Sequence, residues 1–404
     1  MNETQDKYLQ RGVSADKKEV HEAIKNLSKG IFDNTFCKII DNVWQKESDT
    51  ALILHADGAG TKSSLAYAYW KETGNVQVWK NIAQDAIVMN LDDILCCGYS
   101  DNFVLSSTIG RNKSVITGDI IAAVIEGTAE FCNKMKDYDV HIEYAGGETA
   151  DVGDLVRTII VDSTMAVQIY KRNVINIDIK EGDVVVGFAS FGQTVYEDEY
   201  NSGIGSNGLT MARHDIFKKQ VAEKYPETYD NTLNEKVVYT GQYSLKDKLK
   251  VNWYNCHHQR VEKEMDIAEL VLSPTRTYAP LLIKILQKHH SKIHGIIHCT
   301  GGGQTKVLHF LKNNLRVVKD NLFDMPPLFD LIYRQNKDNA KELYKVFNMG
   351  HRLEIYTDPH TANDLIDMAG KLNIEAKIIG KVEKSNLPEV VINSLNGTYQ
   401  YTKQ

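Results

Sequence analysis

Apolar positions along this chain follow two rhythms, one of period two and one near three and a half, which predict strands and helices respectively. Residues 51–56, 103–107, 140–144 and 157–170 carry the short or alternating apolar runs of strands. Residues 81–97 repeat apolar side chains at helical spacing up to Gly98, a C-terminal stop, and residues 115–136 form a second long helical pattern rich in Ile and Ala. Nearer the start, Asp16 and Glu19 have the spacing of a capping box, and Val20, Ala23, Ile24 and Leu27 make one helical stripe ending near Gly30. Strand and helix in alternation through residue 170 imply an α/β domain.

Residues 171–183 are charged, with a turn signal at Glu181-Gly182-Asp183, and read as the crossing into a second domain. It opens with a strand over 184–190. Polar sequence of low periodicity then runs from 214 to 264, too long for a plain loop in a compact domain and therefore an elaborated insertion. Helix and strand resume: helices over 275–290, 305–313 and 359–372, strands over 295–299, 352–357 and 375–382. The 404 residues exceed the length at which one core usually stops growing. The chain divides into an N-terminal domain, 1–172, and a C-terminal α/β domain, 173–404.

Charge and composition narrow the partners. A net charge of −6 and a pI near 6.1 disfavour nucleic acid and anionic membranes, which select basic faces. No stretch approaches the ~18 apolar residues of a spanning helix, and the polar N-terminus resembles no secretory signal. Six cysteines are scattered without a CxxC pair, which fits reduced thiols in the cytoplasm better than disulfides or zinc. Adjacent histidines at 257–258 and 289–290 diverge on any helix and make poor ligand pairs.

Five segments carry candidate chemistry. Asp57-Gly58-Ala59-Gly60-Thr61-Lys62 follows a strand: glycines admit an anion to backbone N–H groups, and Thr and Lys add a hydroxyl and a charge, although the spacing is not that of a P-loop. The same residues also suit a glycine-rich turn with a solvated lysine. Asp92 and Asp93 interrupt a helix that is otherwise apolar nearly all round, so they either hold a cation or point to water. Gly146-Gly147-Glu148-Thr149 places a carboxylate after another strand, and an oxygen-rich Mg²⁺ site could share it. Asn201 to Gly208 and Thr300-Gly301-Gly302-Gly303 are glycine-rich loops that lead into helical patterns, where free N–H groups meet anions.

In order, these segments resemble the phosphoribosylformylglycinamidine cyclo-ligases. Tyr8-Leu-Gln-Arg-Gly-Val-Ser is similar to the family's Tyr-x-x-x-Gly-Val, and Asp57 to Lys62 to its Asp-Gly-Val-Gly-Thr-Lys. Leu91-Asp-Asp-Ile94 resembles Val-Asn-Asp-Leu, and Gly146 to Ala150 matches letter for letter. Ser206-Asn-Gly208, Leu272-Ser-Pro-Thr-Arg276, Thr300 to Gly303, Pro327-Leu-Phe329 and Phe347-Asn-Met-Gly350 follow in sequence. The resemblance implies a two-domain α/β fold whose N-terminal sheet pairs across a homodimer, with a C-terminal α/β sandwich domain. It implies ATP-dependent closure of formylglycinamidine ribonucleotide to 5-aminoimidazole ribonucleotide in purine synthesis. Carried over by position, Asp57, Asp93 and Glu148 would hold Mg²⁺. Lys25, Asp57, Gly58, Gly60, Thr61, Lys62, Gly146 and Gly147 would bind ATP, with Lys62 and Asp93 catalytic. Ser206, Asn207, Thr300, Gly301, Gly302 and Gly303 would hold substrate.

The chain also departs from the pattern. Gly205 stands where the family carries the histidine of His-Ser-Asn-Gly, so a proton shuttle is unassigned and His214 is an unsupported substitute. Asp92 replaces an Asn, residues 31–36 replace a glycine-rich stretch, and His351-Arg352-Leu353 replaces Val-Gly-Met. A non-catalytic nucleotide-binding paralogue, or another ATP-using enzyme on the same scaffold, is the rival expectation.

Overall fold

A computed structural model describes residues 7–13 and 18–403; Asp16 of the expected capping box lies outside them. Helices α1 (Lys7–Gln10) and α2 (Lys18–Ile24) precede a five-stranded sheet of β1 (Ile40–Asp41), β2 (Thr50–Gly58), β3 (Asn102–Arg111), β4 (His141–Asp151) and β5 (Ile159–Tyr170). Its order is β1-β2-β5-β3-β4, antiparallel except for the parallel β3–β4 pair. Strict alternation dictates its two faces. Phe103, Leu105 and Ile109 of β3, with Val161, Met165 and Val167 of β5, are buried under α4 (Gln77–Leu95) and α5 (Gly118–Lys136), while α3 (Lys62–Thr73) packs on α4. The opposite face is open. Leu54 and Val104 both pair with Ala166 across that face and are 68% and 49% exposed.

Two features of this first half depart from the sequence-based expectation. The stripe Val20, Ile24 and Leu27 is exposed rather than packed. The strand expected to end at residue 144 does not stop there: β4 continues to Asp151 through a bulge opposite Leu105 and Ser107, with Gly146 at φ +87°.

The second half is built on seven strands: β6 (Val184–Ala189), β11 (Ile293–His298), β12 (Leu315–Lys319), β13 (His351–Thr357), β14 (Ala376–Lys384), β15 (Glu389–Ser394) and β16 (Gly397–Thr402). They lie in the order β11-β13-β6-β14-β12-β15-β16, and only β12–β15 is parallel. Short strands β7 (Phe191–Gly192) and β8 (Asn201–Ser202) pair beside it, α12 (Pro359–Gly370) packs on β6 and β14, and α9 (Ala279–His289) on α12. The insertion is ordered: α6 (Leu209–Ile216), α7 (Gln220–Lys224), a hairpin of β9 (Lys248–Tyr254) and β10 (Arg260–Asp266), then α8 (Ile267–Val271). The helix expected over 305–313 is a 3-10 helix, Gly303–His309, and α10 (Pro327–Gln335) and α11 (Ala340–Val346) follow it. No described helix is long and apolar enough to cross a membrane.

Inside the second half, Lys319 and Glu354 are fully buried and pair directly. His351 Nε2 lies 3.0 Å from Glu354 Oε1, and Tyr356 donates to Oε2 at 2.7 Å. Burial pushes the Glu354 carboxyl up, but Lys319 and His351 outweigh it and hold it at about 2. Its folded value therefore lies below the ordinary unfolded value of about 4.3, so the stabilisation is complete above that pH and is lost as pH falls toward 2. Glu354→Leu strands a buried ammonium and should cost about 3–5 kcal/mol in denaturant unfolding. Its stability should also fall less steeply below pH ~4.3 than the wild type's; equal slopes would discount the pair.

Candidate functional site

From Asp85 onward helix α4 is buried all round because it lies between its own sheet and the second half of the chain. Its carboxylates bridge that seam. Asp85 accepts from the Thr275 N–H at 2.7 Å and the Thr275 hydroxyl at 2.5 Å. Asp92 accepts from the Thr277 hydroxyl at 2.6 Å and the Tyr278 N–H at 3.0 Å, and burial raises its pKa. Asp92 therefore takes neither a cation nor water; donors from the 273–278 loop satisfy it.

Asp93, one residue on, faces a different set. His298 Nδ1 sits 2.6 Å from Oδ1 and His55 Nε2 3.6 Å from Oδ2. Arg352 Nε points at His298 Nε2 from 3.0 Å. Arginine only donates, so Nε2 accepts and the imidazole proton resides on Nδ1, facing Asp93. His55 is in turn oriented by Asn90, with Nδ1 to Oδ1 at 2.9 Å.

Four loops converge on this group. The Thr61 hydroxyl, just before α3, lies 2.9 Å from that of Thr210 in α6. Gly208, at φ +78°, packs so closely that a Cβ there would sit 2.4 Å from the Phe347 ring. Gly303, at φ +50°, would place a Cβ 2.7 Å from the carbonyls of Tyr344 and Phe347, so only glycine fits. Asn207 Nδ2 lies 3.8 Å from the Cβ position of Gly301, and Asn348 Nδ2 donates to the Gly203 carbonyl at 2.9 Å. Segments 57–62, 203–210, 300–303 and 347–352 thus meet beside Asp93 and His298. The Ser206 hydroxyl and Arg352 Nη1 are buried there without a partner among the described residues.

The structure brings together Thr61, Asp93, Ser206, Asn207 and Thr300 to Gly303. Other expected residues lie differently. Lys62 is fully buried, its ammonium 2.9 Å from Asp85 and bonded to the Ser273 carbonyl, so it faces the seam rather than a phosphate; burial lowers its pKa. Glu148 pairs with Thr108 on the open face of the sheet, whereas Asp57 shares the parity of His55 toward α4. Three strand spacings, roughly 14 Å, separate β4 from β2. Asp57, Asp93 and Glu148 do not form one cluster within a chain, and the described residues contain no group of three His, Cys, Asp or Glu arranged for a metal. Gly146 and Gly147 lie in the β4 bulge, and Lys25 is exposed after α2. His214 is buried, accepts the Tyr239 N–H on Nδ1 at 3.1 Å, and is held neutral by burial, at about 2; it shuttles no proton here.

The sequence reading missed His55, His298, Arg352 and Asp162. Asp162 packs against Gly58, where a Cβ would be 1.7 Å from its Oδ1, and its pKa is raised by burial and then by neighbouring Asp57. For Asp162 the signal was a carboxylate inside an alternating strand; for His298, a histidine at a strand end before three glycines.

Residues 38–167 match the model for the AIR synthase related protein N-terminal domain, and 180–393 that for its C-terminal domain. The phosphoribosylformylglycinamidine cyclo-ligase of Methanocaldococcus jannaschii is 28% identical over 339 residues, 83% of this chain and 79% of the relative. Among solved structures, T. maritima PurL complexed with FGAR gives a TM-score of 0.53 at 14% identity, covering 96% of this chain and 50% of that one. The same protein complexed with ADP gives 0.53 at 12% identity, covering 96% and 48%. The chain thus spans about half the length of PurL, and likeness at this identity speaks to fold alone.

The burial of Lys62 makes a stability prediction. Lys62→Met leaves Asp85 as an uncompensated buried charge and should cost about 3–5 kcal/mol. Asp85→Leu added to it should recover most of that loss in thermal or denaturant unfolding. A Lys62→Met protein as stable as wild type would show that the pair does not pin the seam.

Proposed function

Because the chain belongs to the AIR synthase related family, we propose that it uses ATP to close formylglycinamidine ribonucleotide to 5-aminoimidazole ribonucleotide, releasing ADP and phosphate. The observation that carries this reading is the convergence of four loops, three of them glycine-rich, on Asp93 and His298. Amide oxygen leaves poorly; transfer of the γ-phosphoryl group onto it makes phosphate the leaving group. The internal amine then attacks that carbon, the C–N bond forms, the C–O bond breaks, and one proton leaves the attacking nitrogen. Charge builds on the phosphoryl oxygens, so fixed N–H donors and cations lower the barrier.

We assign Gly58, Gly60 and Thr61 to the nucleotide phosphates, with the part of the chain up to residue 172 as the ATP-binding domain. Ser206, Asn207 and Thr300 to Gly303 belong to the substrate in the second domain. Lys62 becomes a positioning residue. The departing proton is assigned to Asp93 with His55, whose partly open ring offers a route to solvent. Magnesium suits Asp57 and Asp162, at adjacent registers on opposite faces where β2 ends: the charge of Asp57 raises the cost of ionising Asp162, and a divalent ion taking oxygen ligands relieves it. When bound, it would neutralise charge on the nucleotide phosphates.

The open sheet face suits a second copy. Leu54 and Val104 present exposed apolar side chains, uncovered among the described residues, and Glu148 lies on the same face. No membrane or nucleic-acid partner is part of this reading, and a cytoplasmic location fits it.

The reading is tested by ADP release that depends on formylglycinamidine ribonucleotide. Turnover is expected, and Asp93→Asn should lower kcat by ~100-fold or more with circular dichroism unchanged. ATP binding without turnover would favour a nucleotide-binding paralogue instead. Separately, sedimentation should give a dimer for wild type and a monomer for Leu54→Glu with Val104→Glu; an unchanged dimer would place the interface elsewhere.

A further inference from the structure

Arg352 is among the most buried large side chains, at 1% exposure, yet it forms no salt bridge among the described residues. Its bonds are to uncharged acceptors: Nε donates to His298 Nε2 at 3.0 Å, and Nη2 to the Arg276 carbonyl. Nη1 has no hydrogen-bond partner among the described residues. The charged groups around it are committed elsewhere. Asp92 is held by Thr277 and Tyr278, Asp93 by His298 and His55, Asp85 by Lys62 and Thr275, and Glu197 by Arg276. A buried guanidinium with an orphan N–H carries a desolvation cost that a bound anion would offset.

The orphan lies at the loops already described. Nη1 is 3.8 Å, and Cδ 3.5 Å, from the position a Cβ would take at Gly205. Ser206, the next residue, supplies the second buried donor without a partner. The absence of a side chain at 205 leaves Nη1 open toward that loop.

We propose that Arg352 Nη1 and the Ser206 hydroxyl form an anion-receiving corner that takes a phosphate group of the substrate. The corner rests on the cyclo-ligase reading for the identity of that substrate, but not for its chemistry. A guanidinium is always charged and offers forked donors, which suits a phosphate dianion. Two sources share this chemistry, the ribose phosphate and the phosphoryl group transferred onto the amide oxygen.

Two variants of the full chain test the corner. Arg352→Gln removes the charge. Gly205→Asp keeps Arg352 and supplies an internal carboxylate to Nη1; Gly205 has no left-handed backbone to strain, so this variant guards against failure of the first to fold. Inorganic phosphate is titrated and followed by phosphorus NMR line broadening, with circular dichroism as the folding check. Wild type should bind phosphate, and both variants should bind it at least ten times more weakly. In the ADP-release assay, a rise in KM with kcat kept would assign the corner to the ribose phosphate. A fall in kcat with KM kept would assign it to the transferred group. Folded variants that bind phosphate and turn over as wild type does, or a wild type that binds none, would overturn the proposal. Loss of phosphate binding in the variants of a wild type without turnover would leave the corner standing and sink the cyclo-ligase reading.

Discussion

A carboxylate taken out of water must find donors, and α4 presents three of them, Asp85, Asp92 and Asp93, where both halves of the chain close over it. Donors for the first two come from the 273–278 loop of the second half. The third is met by His55 and by His298 at the end of β11. The relative placement of the two halves follows from this requirement, and so does the meeting of the glycine-rich loops. Asp93 belongs to both the seam and the site, so the geometry of one is set by the other.

Much of the fold was legible because its signals are local. Alternation located β3 and β5, and a helix apolar nearly all round is what the enclosed part of α4 proves to be. The five-residue run Leu272 to Arg276 looked like a motif of unstated purpose; its Thr275 and the adjoining Thr277 turn out to be the donors α4 needs. The strands of the C-terminal end, β15 and β16, went unread, since a short hairpin closing a sheet carries little periodicity of its own.

The site was half legible. Glycines that must pack closely against a neighbour, such as Gly208 and Gly303, stand out by residue type. Side-chain direction does not. Lys62 follows a glycine-rich turn in the manner of a phosphate ligand, yet it turns inward because Asp85 is there. Glu148 lies on the open face because the bulge in β4 resets which residues point where, and one extra residue cannot be counted from sequence. Arg352 and Gly205 are 147 positions apart, and only the fold makes them neighbours.

The polar seam also bears on how the chain can be divided. Each half keeps its own sheet, which invites the view of two separable modules. Cutting between them would expose the apolar flanks of α4 together with its three acids. The 273–278 loop would at the same time lose the acceptors that order it. Neither fragment should hold its native outline alone, and an exchange of one half between relatives would succeed only if α4 travelled with the loop that satisfies it.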